Sequence, residues 1–120
     1  MNPDIIDAEA IANLRALNPD DGDAFLREIV GIFLEDTPLR LAELDEALVA
    51  GDAPKFVRAA HSIKGSSANL GALQLRATAE RLEHQAKSQG LADTGALIAA
   101  VKTEFSRALR ELTTLATPPA

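Results

Sequence analysis

The amino-acid sequence predicts an all-α fold, an antiparallel up-down-up-down four-helix bundle with a short N-terminal lid helix. Three observations predict it. Apolar residues recur at spacings of three and four along most of the chain, and no useful stretch alternates with the period of two that a strand needs. Pro, Gly and Asp cluster between these segments, so the connections are short and favour antiparallel neighbours. Aromatic residues are only 3%, without Trp or Tyr. The core must then come from Leu, Ile, Val and Ala with four Phe, a mixture that suits close-packed helices.

The elements follow in order. A first helix is expected from Asp7 to Leu17, with Asp7 as N-cap. "NPDDGD" then forms a turn. Phe25, Ile29, Ile32 and Phe33 place a stripe on the next helix, and Leu41, Leu44 and Leu48 extend it. Pro38 interrupts that pattern and is expected to kink or divide the helix. Asp52 caps the third major helix, with Pro54 tolerated in its first turn. Phe56, Ala60, Ile63, Ser67 and Leu70 form its inner face, and Gly71 is placed to stop it. The fourth begins near Ala72, buries Leu75, Ala79, Leu82 and Ala86, and ends at Gly90. The last begins near Asp93 and turns Ile98, Val101, Phe105, Leu109 and Leu112 inward. Residues 1–117 read as one bundle domain and 118–120 as a frayed tail.

Composition narrows the function. The chain has 120 residues, no cysteine and a formal net charge of −6. Disulfides and thiolate metal sites are excluded. Phosphate backbones are repelled on average, so no nucleic-acid partner is expected. The N-terminus is acidic where a signal peptide needs Lys or Arg. No apolar run approaches ~18 residues, so no membrane association is expected. The expectation is a cytoplasmic, monomeric protein.

His61 and Gly65 stand out on the third helix. With Phe56 at zero and roughly 100° per residue, the inner-face residues fall within about 40° of it, whereas His61 lies about 140° away. Its strip holds Val57, Lys64, Gly65 and Ala68, with Arg58 at the margin. Solvent faces normally carry long charged side chains, and here those that would shield the imidazole are cut short. Gly65, one turn on, costs about 1 kcal/mol relative to alanine, and its benefit would be access to the ring. A neutral imidazole nitrogen is a competent nucleophile near pH 7. Lys64 can steady an anion attached to it. Taken singly, each residue has a plainer reading as an ordinary surface position.

His84 provides a control. It too has a lysine three residues later, Lys87, but Ser88 stands where a glycine would be. It points about 170° from the core of the fourth helix, among charged neighbours, and reads as solvated. Glu83 lies about 70° from that core centre. If the third and fourth helices are antiparallel neighbours, it comes within reach of His61, where a carboxylate on Nδ1–H would leave Nε2 free to attack. The alternative is a surface acid.

The segment "AHSIKGSSANLGA" resembles the signature of the histidine-containing phosphotransfer (HPt) domain, roughly His-x-x-Lys-Gly-(Ser/Ala)-(Ser/Ala)-x-x-(Leu/Val)-Gly. His61, Lys64, Gly65, Ser66, Ser67, Leu70 and Gly71 meet it. "FLREIVGIFLEDTPLRLAELDEALVAGD" and "LRATAERLEHQAK" resemble the flanking family helices. The resemblance implies a helical bundle that reversibly accepts a phosphoryl group on His61 from a receiver-domain aspartyl phosphate and passes it to another receiver aspartate. It implies a phosphocarrier rather than a turnover enzyme, with no ATP site or cofactor of its own and Mg²⁺ on the receiver partner. By the same resemblance Lys64 stabilises charge on the phosphoryl group and Gly65 keeps the approach clear. Some members place a Gln near the histidine's other nitrogen, and Glu83 occupies the matching position. Val57, Arg58, Lys64, Gly65 and Ala68 are the expected docking face for receiver domains of response regulators or hybrid kinases. A non-catalytic binding module and a bundle metalloprotein are the competing classes. Two histidines on different faces speak against the second.

Overall fold

A computed structural model describes residues 2–116, leaving the expected tail at 118–120 outside the described residues. It contains five helices: α1 (Ala8–Leu17), α2 (Ala24–Ala50), α3 (Ala53–Asn69), α4 (Leu73–Gln89) and α5 (Gly95–Ala116). The four long helices close a ring in which α2 packs on α3 and α5, and α4 packs on α3 and α5. Among the described residues there is no strand, only an isolated antiparallel bridge between Ile6 and Ala72.

The caps follow the side-chain chemistry. Asp7 accepts from the Glu9 amide and Asp52 from the Lys55 amide, each satisfying a helix-end donor that has no partner inside the helix. At the start of α2 the cap residue Asp23 is left-handed, and Asp21 accepts from the Phe25 amide instead. The expected inner face of α3 is buried throughout, as is that of α4.

Three expectations need correction. Helix α2 is not divided at Pro38: it runs unbroken from Ala24 to Ala50 with Pro38 exposed. Proline removes one ladder hydrogen bond, and tertiary packing on both flanks keeps the remainder in register. The buried stripe of α2 is also rotated from the expected one. Leu26, Val30, Phe33, Thr37, Leu44 and Ala47 face inward, while Ile32 is 56% exposed and Leu48 37% exposed. Helix α2 is apolar on more than one side, so periodicity alone could not choose the face. On α5, which starts at Gly95, Ala108 takes the inner position and Leu109 sits at the rim.

Helix α1 docks where α3 turns into α4. The Asp7 amide donates to the Gly71 carbonyl at 2.8 Å. Gly71 has φ +67°, and a Cβ there would stand 2.7 Å from the Ala10 Cβ and 2.9 Å from the Asp7 Cβ. Only glycine satisfies both the left-handed backbone and this close approach. Replacing Gly71 by Ala should lower the unfolding free energy by about 1–3 kcal/mol. The check is a lower urea midpoint with faster amide exchange at Ile6 to Ile11; an unchanged midpoint would contradict the docking.

Candidate functional site

The hairpin of α3 and α4 assembles the site. His61 lies ten residues before Gly71 and Glu83 twelve after it, so antiparallel packing brings them level. Small buried residues, Ala59 and Ala60 on α3 and Ala79 and Ala86 on α4, allow the helices to pack closely.

The His61 side chain is 65% exposed, as its helical angle requires. Its Nδ1 lies 2.9 Å from Glu83 Oε2. Glu83 itself is buried, with 5% of its side chain exposed, and is not a surface acid. The Lys64 ammonium donates to Oε1 at 2.7 Å, and the Lys87 ammonium to Oε2 at 3.1 Å. Burial alone pushes the Glu83 carboxyl up, but hydrogen bonds from Lys64, Lys87 and His61 outweigh it and hold its pKa down at about 2. At neutral pH Glu83 is therefore an acceptor only, and the ring nitrogen facing it must carry the proton. In the neutral ring the lone pair then lies on Nε2, and no other residue among those described bonds to that nitrogen.

The remaining expected residues fall as follows. Gly65 is exposed, and a Cβ added there would meet nothing within 4 Å. No packing or backbone constraint within this chain requires a glycine at that position. Ala68 and Arg58 are exposed on the same strip, and Val57 is half-buried against the core. Ser67 is buried and bonds back to the Ile63 carbonyl, so it faces away from the imidazole. His84 is exposed and forms no bond to the Glu83 cluster. Among the described residues, no group of three His, Cys, Asp or Glu gathers as metal ligands. No helix among them is long and apolar enough to cross a membrane.

The Lys64 ammonium rests on Glu83, a contact that the spacing within α3 does not show. Lys87 was missed as a site residue. The available signal was its i,i+4 spacing from Glu83, a standard helical ion-pair arrangement.

The depressed pKa of Glu83 predicts a pH dependence. The unfolded carboxyl titrates near its ordinary value of 4.5 and the folded one at about 2. The carboxylate's contribution is therefore full above the ordinary value and is lost as pH falls toward the folded one. Wild type should exceed Glu83→Gln in unfolding free energy by up to about 3 kcal/mol at pH 7, with the difference shrinking below pH 5. Urea unfolding of both proteins from pH 7 to pH 2 checks this, and a constant difference would contradict it.

Comparison with known proteins identifies the family and the fold. Residues 28–112 match the model of the Hpt domain. The chain is similar to histidine-containing phosphotransfer protein B of Pseudomonas aeruginosa PAO1, with TM-score 0.81 and 31% identity over 91% of each chain. It is similar to the maize histidine-containing phosphotransfer protein ZmHP2, with TM-score 0.77, 26% identity, and coverage of 92% of this chain and 84% of that one. Among curated proteins, Multistep phosphorelay regulator 1 of Schizosaccharomyces pombe is 34% identical over 80 residues, which are 67% of this chain but 27% of the regulator. The chain thus spans about a quarter of that protein's length. With its long helices closed into a bundle and a solvent-facing histidine held on a buried carboxylate, the chain belongs to the Hpt domain family, the histidine phosphotransfer domains of phosphorelays.

Proposed function

We propose that the chain is a phosphorelay carrier in which His61 accepts a phosphoryl group from a receiver-domain aspartyl phosphate and returns it to another receiver aspartate. The observation that carries this is the exposed ring with Nδ1 committed to Glu83. The Nε2 lone pair attacks phosphorus while the bond from phosphorus to the aspartyl oxygen breaks, and that electron pair leaves on the carboxylate. Nε2 has no proton to lose, so the step needs no general base. The ring, substituted at both nitrogens, gains positive charge beside Glu83. The reverse sequence charges the next aspartate.

Phosphoryl transfer depends on positioning and charge stabilisation more than on covalent machinery. Lys64, three residues from His61 on the same helix, is the cation for the phosphoryl oxygens in this reading. The open volume over Gly65 leaves room for the partner's backbone. Val57, Arg58, Gly65 and Ala68 form the docking strip with Lys64 at its edge. In this reading the chain binds no cofactor, Mg²⁺ belongs to the receiver partner, and the carrier works as a cytoplasmic monomer. A net charge of −6 disfavours nucleic acid as a partner.

Incubation with a phosphorylated receiver should give acid-labile label on the wild type. The label should disappear in His61→Ala and persist in His84→Ala; label that survives in the first variant would refute the assignment. Gly65→Ala provides a second test with opposite signs. It should stabilise the isolated chain by about 1 kcal/mol, because alanine fits the helix better. It should also slow transfer from the receiver, with Gly65→Leu slowing it further. Urea midpoints and single-turnover transfer rates measure the two effects, and a faster or unchanged rate in both variants would count against steric access.

A further inference from the structure

The Glu83 carboxylate is bound by two ammonium groups, and they are not equivalent. Lys64 alone occupies Oε1, while Lys87 shares Oε2 with His61. Lys64 comes from α3, the helix that carries His61, and lies within one turn of it. Lys87 comes from α4, one turn from Glu83 itself, and its side chain is 60% exposed against 28% for Lys64. A depression of about 190 Å³ bordered by Lys64, Glu80, Glu83, His84 and Lys87 opens beside them, so both ammonium groups have room to move.

This arrangement raises a physical difficulty for Lys64. To steady a phosphoryl group on Nε2 it must release Oε1, and releasing a buried carboxylate is costly if that leaves it without a cation. We propose that Lys87 is a positioning residue that acts as the reserve counter-ion of Glu83, keeping the buried carboxylate paired while Lys64 turns to the phosphoryl group. The inference rests on His61 being the phosphoacceptor. Charge agrees with it. Two ammonium groups bond to one carboxylate, so this bonded trio carries one cation in excess, with the Glu80 carboxylate at the border of the depression outside it. The transferred PO₃⁻ unit brings a single negative charge that matches the trio's excess. Without Lys87 the site has no cation to spare, and Lys64 would be divided between Glu83 and the phosphoryl oxygens. Lys87 acts through Glu83 and need not touch the phosphoryl group.

The test uses the whole chain and phosphoramidate, a small phosphoryl donor that charges histidine without any receiver. The initial rate of phosphohistidine formation is followed by ³¹P NMR. Lys87→Met should lower it about three- to fivefold, the size expected of one half-exposed ion pair, and Lys87→Arg should restore it. In a Glu83→Gln background there is no carboxylate to hold, so adding Lys87→Met should change the rate no further. Equal loss in both backgrounds would make Lys87 a general attractor of anions and overturn the proposal, as would no loss in either. Failure of the wild type to label at His61 would remove the phosphoacceptor reading itself, and this inference with it. Because Lys64 keeps Glu83 paired in the resting state, Lys87→Met should lower the thermal midpoint only modestly, and an unchanged helical circular-dichroism spectrum at the assay temperature separates a rate effect from misfolding.

Discussion

One buried carboxylate organises the functional end of this molecule. Glu83 is nearly removed from water, and a charge so placed persists only when its lone pairs are met by donors. The donors come from two helices: His61 and Lys64 from α3, Lys87 from α4. The same bonds that keep Glu83 ionised set the imidazole tautomer and hold a lysine beside the ring. Electrostatic satisfaction of the interior and preparation of the surface nucleophile are therefore a single requirement.

The rest of the bundle serves that requirement by controlling distance. The short turn through Gly71 fixes the register of α3 against α4, and alanines on both faces keep the helices close enough for Glu83 to span the gap. Helix α1 secures the turn from outside through the Asp7 amide and the Gly71 carbonyl. On the opposite side, Phe33 of α2 and Phe105 of α5 meet in a tilted pair with ring centroids 5.9 Å apart, helping to close the core behind the hairpin.

The two glycines of the signature do different physical work. At Gly71 the backbone is left-handed and a Cβ would collide with α1, so the requirement comes from within the fold. At Gly65 the backbone is ordinary helix and the space is empty. A mid-helix glycine with no internal reason is a local departure from helix propensity, and such departures concentrate where function rather than stability sets the residue. The sequence contains both glycines in plain view, but only coordinates separate the two causes.

The amino-acid sequence by itself determined the helical class, the caps at Asp7 and Asp52, the inner faces of α3 and α4, and the outward direction of His61. Each of these follows from local spacing along one helix, where 3.6 residues per turn converts position into angle. Tertiary structure alone decided which side of α2 is buried, that α2 continues through Pro38, that Glu83 lies inside rather than on the surface, and that Lys64 reaches it from the neighbouring helix. Those outcomes depend on how far one helix stands from another and at what register. No periodicity within a single segment encodes that distance, and a carboxylate at the edge of a helix is buried or solvated according to what packs across from it.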